Sequence, residues 1–100
     1  METKNEVRFR LGQIVATPGA LEALQRNNVT AFDYLRRHAS GDWGVLCEED
    51  KQANEEAITN GARIMSAYFL PDETKVWVIT EAADDAGNRM ATTLLLPDEY

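Results

Sequence analysis

Cysteine, histidine and proline are scarce in this chain, with one Cys, one His and three Pro among 100 residues. A lone Cys47 excludes an intramolecular disulfide, and Cys47 with His38 falls short of the ligands that close a structural zinc site, so no metal is expected. Such cysteine usage fits a reducing cytoplasm. Long apolar runs are missing too: stretches such as 76–79 and 94–96 fall far short of the roughly 20 residues that cross a bilayer. No membrane partner is therefore expected. The opening Met1, Glu2, Thr3, Lys4, Asn5, Glu6 is polar and lacks the apolar core of a secretory signal. A phosphate-binding glycine loop, a Gly-x-Ser-x-Gly elbow and a Cys-x-x-Cys pair are absent as well, and the expectation is of no cofactor.

Positive charge is also in short supply, with 10 Lys and Arg against 17 Asp and Glu, a net charge of −7. A phosphate backbone repels such a chain unless its basic residues gather on one face, which makes a nucleic-acid partner unlikely. The distribution is uneven. Residues 1–40 carry +2, residues 41–60 carry −5 and residues 71–100 another −5. An acidic half of this kind suits another protein as partner, a basic one by charge.

What is present is ordinary for one folded domain over 1–100: 44% hydrophobic and 27% charged residues, enough for a single core. Residues 6–11 alternate apolar with polar and predict an edge strand; Gly12 interrupts it, and 13–16 either continue that strand after a bulge or form a loop. Thr17 and Pro18 predict a helix start, closed by Asn27 and Asn28. Thr30 with Asp33 predicts a second, whose end carries Arg36, Arg37 and His38. A third is expected from Glu48 to Asn60, ended by Gly61. From Arg63 onward, 63–70, 75–81 and 89–96 are rich in β-branched and aromatic residues between polar turns, which predicts three hairpin-connected strands with 75–81 in the centre. The expected fold is α+β, with two to three N-terminal helices packed on a three- to four-stranded antiparallel β-meander.

Two clusters offer chemistry. In the first, Arg36 to Gly44, His38 is the one side chain whose ordinary pKa lies near neutrality; Asp42 would orient it as acid or base, Arg37 would bind phosphate and Trp43 would stack on a base. The plainer alternative makes His38 and its arginines a helix end, Asp42 a turn cap and Trp43 a core residue. The second cluster comprises Arg63, Ser66, Tyr68, Thr80, Glu81, Thr92 and Thr93, which strands of a meander would bring together as a phosphodiester-cleaving set. Its plainer alternative is the solvent face of any antiparallel sheet. Cys47 precedes three acids, which raise a thiol pKa and disfavour a nucleophile, and Glu48, Glu49 and Asp50 form no calcium loop.

Several phrases, taken in order, carry a likeness: Ala16-Thr17-Pro18-Gly19-Ala20-Leu21, Arg37-His38 with Gly41-Asp42-Trp43-Gly44, Arg63-Ile64-Met65-Ser66-Ala67-Tyr68, Val76-Trp77-Val78-Ile79-Thr80-Glu81 and Thr92 through Tyr100. Together they resemble a family of small bacterial proteins labelled plasmid-related, carried on plasmids and integrative elements. The resemblance implies an accessory protein of mobile DNA and transfers no catalytic residue. After Glu81 the family pattern has an Asp-Arg-Ser turn, whereas this chain has a longer, more acidic loop from Ala82 to Asn88.

Three functions compete on this basis. The first is a non-enzymatic protein-interaction module that binds through its acidic half or the Trp43 loop, Arg37, His38, Asp42 and Tyr68 being its other candidate contacts. The second is a small ribonuclease-like or nucleotide-binding domain with His38 as acid, Arg63 as phosphate clamp and Glu81 as base. The third is an acidic nucleic-acid mimic that occupies a defence enzyme. An exposed strand edge would also permit a homodimer.

Overall fold

The computed structural model describes residues 7–100, so the polar opening and the first residue of the expected strand at 6–11 lie outside the described residues. Within them the order is β1 (Gln13–Ala16), α1 (Pro18–Arg26), α2 (Ala31–Ala39), α3 (Glu48–Asn60), β2 (Ile64–Phe69), β3 (Lys75–Thr80), β4 (Ala91–Leu95) and a 3-10 turn (Pro97–Glu99). The fold is α+β: three helices and a four-stranded sheet in the order β1-β4-β3-β2.

The sheet departs from the expected meander. β2, β3 and β4 pair antiparallel through short turns, but β1 lies parallel to β4, Gln13 opposite Ala91 and Ala16 opposite Leu94. Short turns force only the last three strands to alternate. β1 reaches β4 by way of the whole helical half, which leaves its direction free, so the sheet is mixed and the helices sit between β1 and β2, after the first strand. The alternation at 6–11 does not make a strand in residues 7–11; it turns Phe9 into the core while Arg8 donates its backbone N–H to the Ala39 carbonyl. Gly12 then passes against β4 at a φ of +68°, where a side chain would collide with the Arg89 and Met90 carbonyls.

Local chemistry sets the helix starts. Thr17 caps α1, accepting the Ala20 N–H, and its own hydroxyl donates to Glu99, 2.5 Å away, which also takes the Gly19 and Leu96 N–H groups. These donors, the Thr17 hydroxyl foremost, hold the Glu99 carboxyl below its ordinary pKa. Thr17→Ala removes the cap and unfastens Glu99; a loss of about 1 kcal/mol in urea unfolding is expected, and an unchanged midpoint would contradict this role. Thr30 and Asp33 form the reciprocal capping box of α2.

α1 and α2 lay Ala20, Ala23, Leu24, Tyr34 and Leu35 onto Tyr68, Val76, Val78 and Leu94 of the sheet. At a few tens of cal/mol per Å² of apolar area, this layer is the main stabilising contribution. A second cluster of Phe9, Trp43, Ala57 and Ile64 seats α3. Among the described residues no helix is long and apolar enough to cross a membrane.

The two sheet edges are treated differently. The outer edge of β2 is covered: Val45 donates to the Ala67 carbonyl, the Ala67 N–H bonds Trp43, and the Asn54 amide makes a two-point bond to the Met65 backbone. Gly44 allows this approach with a φ of +78°, since any side chain there would collide with the Ala67 carbonyl. No equivalent cover lies over β1 among the described residues, and all but Ala16 of its residues are exposed.

Candidate functional site

His38 lies at the carboxyl end of α2, on the side that faces the sheet, and is 0% exposed. Its Nδ1 stands 2.6 Å from the Ser66 hydroxyl and its Nε2 2.8 Å from the Thr80 hydroxyl, which is 2.7 Å from Thr92; the Thr92 hydroxyl donates to the Leu11 carbonyl at 2.7 Å. That carbonyl only accepts, so it fixes the direction of the chain of bonds. Thr92 donates to Leu11, Thr80 to Thr92, and His38 Nε2–H to Thr80, leaving Nδ1 to accept from Ser66. The ring is therefore the neutral Nε2–H form. Burial lowers its pKa to about 3. Phe9 and Trp43 meet the ring edge-on and seal it.

A serine bonded to a histidine is also the first pair of a hydrolytic triad. Here both are fully buried, a threonine stands where the triad's orienting acid would be, and no carboxylate bonds the ring. A substrate has no route to Ser66 Oγ. The pair holds α2 to β2 and β3.

Asp42 does not orient His38. Its carboxylate takes Arg37 Nε at 2.8 Å and the Gly44 N–H, and its carbonyl accepts the Tyr68 hydroxyl. Arg37 lies with its guanidinium 4.5 Å from the centre of the Tyr68 ring. Its partial burial opposes the charge, but the Asp42 bond prevails and keeps the Arg37 pKa above its ordinary value. Burial raises the pKa of the Tyr68 phenol. Trp43 is 4% exposed, stacked on Phe9, with its indole N–H on Glu55. Its ring is thus committed to the core and presents no stacking platform. The Arg8 bond, followed by the Trp43 bond, depresses the Glu55 pKa.

The second cluster divides between the two faces. Ser66, Tyr68, Thr80 and Thr92 point toward the helices, whereas Thr93, one residue on from Thr92, points away. Arg63 and Glu81 flank the paired Ile64 and Thr80 at the sheet margin; Arg63 donates to the Tyr100 hydroxyl at 2.7 Å and Glu81 is exposed. A shallow pocket with Leu46, Asp50, Asn54 and Met65 holds Arg63 but neither His38 nor Glu81. His38, Arg63 and Glu81 share no cleft among the described residues, and no group of three His, Cys, Asp or Glu there stands as a metal cage.

Two features escaped sequence reasoning. Arg89 is 8% exposed and donates to the carbonyls of Ala57, Ala62 and Glu81, joining the end of α3 to the β3–β4 hairpin. A groove of about 390 Å³ runs between β1 and α2, lined by Val7, Leu11, Ile14, Phe32, Leu35, Arg36 and Ala39. Phe32 is 66% and Ile14 44% exposed. The sequence signal is Phe32 and Leu35, three residues apart on the apolar edge of α2, of which only Leu35 is buried. Comparison with protein-family models, curated proteins and solved structures finds no match for the chain.

Proposed function

We propose that this chain is a non-enzymatic protein-interaction module whose partner protein docks along the β1–α2 groove. The observation that carries this reading is the groove itself: large apolar side chains left in water beside a strand edge that no described residue covers. Ordinary exposed apolar residues are scattered singly, whereas Val7, Ile14 and Phe32 line one depression. The acid–base and nucleophilic groups, by contrast, are spent on internal bonds around His38 and Asp42. The reading shifts the contact surface from the Trp43 loop, whose ring is buried, to the opposite end of α2. With Cys47 exposed and free, a reducing cytoplasm is the proposed setting.

The test compares wild type with an Ile14→Asp, Phe32→Asp double variant. Both positions are exposed, so folding should be preserved, which circular dichroism checks. A protein retained by wild type and then reconstituted from purified components should bind the double variant at least tenfold more weakly. Equal affinity for both would remove the groove from the function.

A further inference from the structure

We infer that the groove takes an extended acidic–apolar segment of a partner protein, added to the sheet as a strand beside β1. This rests on the docking reading above and specifies its chemistry.

The backbone argument comes first. The parallel ladder to β4 uses Gln13, whose N–H bonds the Met90 carbonyl, and Thr17, whose N–H bonds the Leu94 carbonyl. In a parallel pair alternate residues bond to the same neighbour, so the N–H and C=O groups of Ile14 and Ala16 point to the open side. Protein sheets usually blunt such an edge with a charge, a bulge or a covering segment. Among the described residues this chain covers its other edge with Gly44 and Asn54 and leaves β1 open. An incoming strand would find unpaired backbone groups there and, along its flank, the apolar groove for alternate side chains.

Charge selects the class of segment. Of the five arginines in residues 7–40, Arg8, Arg26 and Arg37 pair with Glu55, Asp72 and Asp42, and Arg36 is the charged residue that lines the groove, with no acid beside it in the lining. At the groove wall Arg36 sits over the Phe32 ring at 5.3 Å, and its Nε is buried with no hydrogen-bond partner. Its Nη2 stands 3.7 Å from Asp33 Oδ1, beyond hydrogen-bond reach, while Asp33 Oδ2 takes the Thr30 N–H and hydroxyl. A carboxylate from the added strand would give the exposed Nη end of Arg36 a charge-assisted bond. The net charge of −9 over residues 41–100 disfavours such a segment on the acidic half of the molecule. A second copy is disfavoured, since pairing β1 with β1 would set two grooves lined by Arg36 and no acid against each other.

The experiment uses isotope-labelled full chain and two short synthetic peptides, one alternating valine with glutamate and one alternating valine with lysine. The glutamate peptide should shift the Ile14, Ala16 and Arg36 resonances saturably, bind at least tenfold more tightly than the lysine peptide, and slow amide exchange at Ile14 and Ala16 at least tenfold. Arg36→Gln should weaken it about tenfold with thermal unfolding unchanged. Equal binding of the lysine peptide at β1 overturns the acidic class while the docking surface stands. Shifts in the groove without amide protection overturn strand addition alone. Absence of any shift at β1 overturns the proposed recognition, leaving the docking surface to be judged by the reconstituted partner. A concentration-dependent doubling of mass that Ile14→Lys abolishes would make a second copy the occupant, and markedly tighter binding after deletion of residues 1–6 would make that segment the occupant; either result overturns the proposal.

Discussion

Between pH 6.5 and 4.5 the fold is expected to lose about 2 to 3 kcal/mol because of His38 alone. Folding depresses this histidine from 6.5 to about 3 by burying it, so the unfolded chain takes up a proton that the folded chain refuses. The contribution is complete above the unfolded pKa and is lost as pH falls from there toward the folded value. Three carboxyls act in the same direction but enter only at the acid end of this window, where their unfolded forms begin to take up protons. Glu55, Asp72 and Glu99 are held below their ordinary values mainly by bonds from Arg8, Thr74 and Thr17 respectively. Urea unfolding at pH 7 and pH 4.5 measures the difference, and equal stability at the two values would refute the neutral, sealed ring. His38→Ala should cost about 3 kcal/mol at pH 7, since it opens a cavity and strands the Ser66 and Thr80 hydroxyls. It should also flatten the acid dependence, which a simple packing defect would not do.

Arg89→Met should be comparably damaging, at about 3 kcal/mol, because it withdraws the donors shared by carbonyls from three separate segments. Burial lowers the pKa of this guanidinium, which donates to all three carbonyls. Arg89→Lys should not rescue the loss, because one ammonium cannot span the positions that a planar fork reaches. Hydrogen exchange should show the last turn of α3 and the hairpin after Glu81 opening first. Uniform loss of protection, or full rescue by lysine, would show that Arg89 contributes no more than generic charge.

Where local chemistry decides an element, the sequence was legible. Thr17 with Pro18, Thr30 with Asp33, and Gly61 mark helix ends that the structure reproduces, and the central position of β3 follows from apolar residues on both its faces. Where distant segments decide, it was not. Gln13–Ala16 is too short to declare a direction, and its partner β4 lies at the far end of the chain. Arg89 reads as the polar start of a strand until α3 is folded over it. His38 reads as a helix-ending cation, a favourable role in water, yet the registers of β2, β3 and β4 set Thr80 beside Thr92 and Ser66 on the diagonal, three hydroxyls on the sheet face beneath it. The favourable helix-end role gives way to burial, and the ring stays neutral.

The bridge at Gly44 and the Asn54 clamp also bear on how far association can go. With one margin of the sheet occupied from within, a segment added at β1 would find no second open margin among the described residues, and the proposed addition would stop after one step. Were Asn54 replaced and the Trp43–Val45 segment loosened, the molecule would offer two open margins, and a partner with two strand-forming segments would link molecule to molecule.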